Sequence, residues 1–212
     1  MPSPTLLSAS SVPASLKPAN AEAAAWPIAR YATFAAIAVI GGAADLLTKQ
    51  WVFAWRGFPR ADNVHWLIEP YVGIETSLNP GALFGMGAGH SHWFALLSVA
   101  AAIGIVVWLT YGRAALDRWL TISLGLVMGG IIGNLYDRLG LWHYTNVPEP
   151  WRNNVRDWIL FQYPAPWDGW ALTPWPNFNI ADSCLVVGAA ILMIHALLTP
   201  SKPAEEKSAA KA

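Results

Sequence analysis

The sequence predicts an all-α membrane protein of four transmembrane helices, and three observations carry that prediction. Charged residues make up only 12% of the 212 positions and hydrophobic residues 55%, against about 25% charge in an ordinary soluble domain. The chain holds 13 tryptophans, many of them flanking apolar runs, and indole rings favour the membrane–water interface. Four segments are long and apolar enough to cross about 30 Å of hydrocarbon. The formal net charge is +0, so the basic footprint of a nucleic-acid partner is missing and none is expected.

The first span runs from about Ile28 to Phe53, the second from Trp93 to Tyr111, the third from Leu116 to Tyr136 and the fourth from Ile180 to Leu198. Residues 1–27 and 200–212 read as solvated, disordered tails, rich in Ala, Ser and Pro or in Lys, Glu and Ala, around a membrane domain at 28–199. Tyr31–Ala44 also resembles the apolar core of a signal peptide, but the helical pattern continues without a break through Asp45 and Lys49 to Trp51. With four spans both tails share a side. Lys17, Arg30, Arg113, Arg118 and the three C-terminal lysines outweigh Arg56, Arg60, Arg138, Arg152 and Arg156 opposite. The tails and the short Gly112–Ala115 turn are therefore expected in the cytoplasm. The long loops 54–92 and 138–179, both rich in Trp, Pro and Gly, then face outward, and Tyr71–Ser77 alternates like a short strand.

Ionisable groups inside a membrane are costly and point to function by default. Here they gather at one end of three helices. Asp45 and Lys49 stand at i and i+4, the acid first, as a helical ion pair prefers. Asn134, Asp137 and Arg138 share a face of the third span, and Asn179 and Asp182 one of the fourth. Asp45 and Lys49 can simply neutralise each other, and Asp137 with Arg138 can tie the third helix to its loop. Asp182 has no cation one turn away and needs a partner from elsewhere. Asn79-Pro80-Gly81 is turn chemistry that also offers an amide and bare backbone to a bound peptide.

Other chemistries lack their equipment. The five histidines are dispersed, with no His-Glu-x-x-His pattern for zinc. No Gly-x-Ser-x-Gly elbow or phosphate loop occurs. Cys184 reads as packing and His195 as structural. The reactive groups that remain are carboxylates.

Five stretches in order, Asp45-Leu-Leu-Thr-Lys49, Asn79-Pro-Gly-Ala-Leu-Phe-Gly85, Gly133-Asn-Leu-Tyr-Asp-Arg138, Val155-Arg-Asp-Trp158 and Phe178-Asn-Ile-Ala-Asp182, resemble the motifs of lipoprotein signal peptidases. The resemblance covers about residues 30–198. It implies four membrane helices with a small periplasmic β-element, in the bacterial inner membrane. It also implies an aspartic endopeptidase that cleaves diacylglyceryl-modified prolipoproteins just before the lipidated Cys. The implied catalytic pair is Asp157 and Asp182. Asn79, Gly81, Asn134, Arg138, Asn179 and Ala181 match positions lining the site, and Asp45 and Lys49 a supporting motif. Membrane lipid is an implied partner, no metal or organic cofactor is implied, and a monomer is expected.

The family usually keeps its Gly-Asn-x-x-Asp-Arg and Val-x-Asp motifs close together. Here Leu139–Asn154 separates them, and a Trp/Pro-rich stretch, Phe161–Asn177, precedes the last motif. Asp137 and Asp168 are therefore rivals to Asp157 as second acid. The competing class is a small proton-coupled carrier or scaffold using the same interfacial acids. Carriers tend to hold polar groups near the bilayer midplane and to carry internal repeats, and neither pattern is present.

Overall fold

In hydrocarbon a long apolar segment satisfies its backbone N–H and C=O groups by forming a helix. The computed structural model of the chain describes residues 19–60, 64–81, 87, 89–142, 147–162 and 175–199. Its helices are α1 (Ala19–Arg56), α2 (Ser91–Thr110), α3 (Arg118–Arg138) and α4 (Ile180–Leu198). Each is long and apolar enough to cross a membrane, α1 through its Ile28–Arg56 portion. The fourth helix has the predicted bounds, and the second and third differ by about two residues at each end, within ordinary fraying. The first starts at Ala19 rather than Ile28. The tails expected at 1–27 and 200–212 lie largely outside the described residues, and Asp168 and the end of the Asn79–Gly85 motif lie outside them too.

The third helix is the most enclosed of the four and packs on the other three. Glycine lets it do so. A Cβ on Gly129 would come within 3.2 Å of the Ala38 carbonyl, and one on Gly130 within 2.5 Å of the Ala181 carbonyl. Such close backbone approach through small residues is how helices associate where lipid supplies no hydrophobic drive. Ala38, Leu124, Met128 and Ile131 fill the buried core with Ile105 and Leu109 from the second helix. Outward faces carry exposed Val39, Ile40, Leu96, Leu97, Val186 and Leu197, as a lipid-facing surface requires. At the tail end Asp117 caps α3 by accepting from the N–H groups of Trp119 and Leu120. Its other carboxylate oxygen lies 2.8 Å from Nε2 of His195 on α4.

The two long loops contain three strands where alternation in the sequence points to one. They are β1 (His65–Ile68), β2 (Val72–Asn79) and β3 (Val155–Phe161), in one antiparallel sheet of order β1-β2-β3. Ile74 pairs with Ile159 and Ser77 with Asp157, so β2 spends one more residue than β3 over that interval. That bulge sits beside the cleft described below, a common place for one.

Candidate active site

Asn179 and Asp182 open the fourth helix as a reciprocal cap. The Asn179 side-chain oxygen accepts from the Asp182 N–H at 2.9 Å, and the Asp182 carboxylate accepts from the Asn179 N–H at 3.2 Å. The partner from elsewhere comes from α3, where the Asn134 amide donates to Asp182 Oδ1 at 2.7 Å.

Asp157 arrives from the sheet. The main chain of Phe178 pairs with Ile159, the Ile159 N–H reaching the Phe178 oxygen at 2.9 Å and the Phe178 N–H returning at 3.1 Å. This pairing places Asn179 alongside β3, and its amide donates to Asp157 Oδ1 at 2.6 Å. The same nitrogen lies 3.1 Å from the Asn134 side-chain oxygen. Asp157 and Asp182 are thus joined through two asparagines. Burial pushes the Asp157 carboxyl well above the usual carboxylate range, and the neighbouring Asp182 charge acts in the same direction, against hydrogen bonds from Asn179 and Asn79.

Beneath the pair lies a buried chain of charges. Lys49 Nζ is 2.7 Å from Asp45, 3.1 Å from Asp137 and 2.9 Å from the Asn134 oxygen. Asp45 Oδ1 accepts from the Ala181 N–H at 2.9 Å. Asp137 in turn receives Nε and Nη2 of Arg156 at 3.0 and 2.8 Å on Oδ1 and the Arg156 N–H at 3.0 Å on Oδ2. All four charged side chains are essentially inaccessible, and two acids match two bases, the condition for burying charge at all.

A cleft of about 680 Å³ opens along β2, lined by Thr76, Ser77, Leu78, Asn79 and Asp157 on one side and Trp175–Asn177 on another. Asn79 is the last residue of β2, and its side-chain oxygen accepts from the Gly81 N–H at 3.0 Å, the turn expected of Asn-Pro-Gly. Arg138 stands over the Phe94 ring at 5.7 Å, within electrostatic reach of Asp182 and then Asp157.

Two readings of the sequence need correction. Asp137 is tied to Arg156 and Lys49, not to its neighbour Arg138, because adjacent residues on a helix point in different directions. The Asp45–Lys49 pair does not neutralise itself alone at a wet interface; it is wholly buried and shared with α3. The part Arg156 plays in the buried charges is not read from the sequence. An arginine inside a short apolar run was counted as a loop charge, and only its place in Val155-Arg-Asp-Trp158 hinted at more.

Residues 37–198 match the family described as Signal peptidase (SPase) II. The chain belongs to that family. Among lipoprotein signal peptidases it is 49% identical to that of Rhodopirellula baltica over 186 residues, which cover 88% of this chain and 81% of the relative. It is 35% identical to that of Rhodococcus jostii over 156 residues, 74% of this chain and 68% of the relative. A solved bacterial membrane enzyme superposes with a TM-score of 0.61 at 25% identity, covering 80% of this chain and 95% of its own. A second does so with a TM-score of 0.63 at 22% identity, covering 81% and 94%, a likeness of fold. Membership of the signal peptidase II family makes the chain a membrane peptidase and sets the carrier or scaffold reading aside.

Proposed function

We propose that this signal peptidase II family member removes signal peptides from diacylglyceryl-modified prolipoproteins by cleaving before the lipidated Cys, with Asp157 and Asp182 as its catalytic acids. The observation that carries the assignment is the pairing of these two carboxylates through Asn179 and Asn134, one of them on the cleft wall. Of the rivals, Asp137 is committed to two cations, which suits an ionised structural carboxylate.

The two acids divide the work. Asp157, whose burial favours the neutral form, holds the proton, while Asp182 takes one from a water molecule. The water oxygen adds to the scissile carbonyl carbon as Asp157 gives its proton to the carbonyl oxygen. Collapse of the tetrahedral intermediate breaks the C–N bond, and the proton on Asp182 passes to the leaving amine of the Cys. A hydroxyl of the intermediate returns a proton to Asp157, leaving the carboxylic acid product and both acids as they began. Asn134 and Asn179 fix both carboxylates without supplying charge. Asn79, Gly81 and Arg138 lie where they can hold the peptide, and Ala181 keeps the start of α4 close to α3. The diacylglyceryl chains stay in the bilayer beside the helices.

The domain is a multi-pass protein of the inner membrane at 28–199, with 1–27 and 200–212 as cytoplasmic tails and the cleft at the periplasmic face. The excess of Lys and Arg on the tail side supports this orientation, and the enzyme acts as a monomer. Single-turnover cleavage of a diacylated prolipoprotein by Asp157→Asn, Asp182→Asn and Asp137→Asn, each normalised to folded protein, tests the assignment. Loss of several orders of magnitude is expected for the first two, and partial loss with destabilisation for the third. An active Asp157→Asn beside a folded but dead Asp137→Asn would reassign the second acid. A reporter fused after Ala212 should remain cytoplasmic.

A further inference from the structure

We infer that Arg156 is a positioning residue for Asp157, clasping strand β3 to helix α3; the inference rests on the peptidase reading above. Asp157 must be held within a fraction of an ångström of a working geometry, because a misplacement of about 1 Å can cost a hundredfold in rate. Residues 139–154 separate Arg138 from Val155 along the chain, so a direct contact between the helix and the strand adds to that precision.

Arg156 supplies it through space. One carboxylate, Asp137 at the end of α3, takes three bonds from this single residue, two from the guanidinium and one from the main chain. Two guanidinium N–H groups converging on Oδ1 fix the orientation of the arginine, and the added main-chain bond to Oδ2 fixes the strand itself one residue from Asp157. The Arg156 carbonyl faces the Asn179 amide at 3.4 Å, the same nitrogen that donates to Asp157. The guanidinium lies 5.1 Å from the Trp142 ring and 5.9 Å from that of Phe53, so its buried Nη1, which makes no hydrogen bond, has an aromatic neighbourhood. Lysine cannot reproduce this arrangement. Its ammonium keeps the charge for Asp137 but loses the planar fork.

The test compares wild type, Arg156→Lys and Arg156→Gln on a diacylated prolipoprotein in detergent micelles, with folded fraction measured by thermal unfolding. If the wild type cleaves nothing, the peptidase reading fails before the clasp is at issue. With an active wild type, Arg156→Lys should stay folded and lose about ten- to a hundredfold in kcat with KM within about twofold. Its loss should not add to that of Asp137→Asn, because both break one clasp. Wild-type kcat in folded Arg156→Lys overturns the inference. So does a loss confined to KM, or failure of both variants to fold, which would make the arginine a plain structural element.

Discussion

Asn179 donates its side-chain amide to Asp157 across 2.6 Å while its side-chain oxygen caps the helix that bears Asp182. One residue therefore serves folding and the site together, and substitution can separate the two. Asn179→Ser keeps a capping oxygen but has no amide to reach Asp157, whereas Asn179→Ala has neither. Asn179→Ala should cost about 1 kcal/mol from the lost cap, and Asn179→Ser much less. Both should lose at least tenfold in kcat. Thermal unfolding beside single-turnover rates measures the separation, and full activity in Asn179→Ser would show that the amide is dispensable.

Burial of Asp157 has a consequence for stability with pH. Its carboxyl titrates at roughly 4 when unfolded and well above that in the folded chain. Between the two values the folded state binds more protons, so this group's contribution is full below about pH 4 and is lost as pH rises through the folded value. Asp157→Asn removes the loss. It should be inactive, yet melt above the wild type at neutral and alkaline pH and converge with it near pH 4. A parallel melting curve across that range would show that the carboxyl ionises freely.

Lys49 is the hub of the buried charges. Lys49→Met leaves Asp45 and Asp137 without the cation they share, and breaking a buried ion pair from one side costs about 3–5 kcal/mol. Adding Asp45→Asn should recover part of that, since it removes one stranded charge. Thermal midpoints of the single and double variants in the same detergent check the order; a double variant no better than the single would contradict it.

The glycine seam predicts a sharp contrast within the membrane. A Cβ on Gly133 would overlap the Asp45 carboxylate and touch Ala181, while one on Gly104 meets open space. Gly133→Ala should therefore displace the Asp45–Lys49 pair and destabilise by at least about 1–3 kcal/mol, and Gly104→Ala should leave the midpoint where it is. Equal midpoints for the two would mean the seam yields.

The helices were legible because hydrocarbon leaves a long apolar run one solution, and the fourth was found to the residue. The acids and amides at 45, 134, 179 and 182 were legible for a related reason: polar groups on a lipid-crossing helix stand out against their neighbours. Strand β3 was not. Val155-Arg-Asp-Trp is nearly all buried, because β2 covers one edge, Phe178 the other, and α3 grips it from below, so no inside–outside alternation survives in its sequence. The Asp137–Arg156 pair was hidden by the distance along the chain, and nearness in sequence suggested Arg138 in its place.

The pairing of Phe178 with Ile159 holds Asp157 and Asp182 in relation by a contact across space as well as along the backbone. Inside the connecting stretches Trp142 braces Arg156, Asn153 braces Arg138 and Asn177 braces Glu75, so a change in loop length that keeps these three contacts should cost little turnover, and one that loses them more. An architecture of this kind permits a lineage to add new surface around an old site without retuning the site.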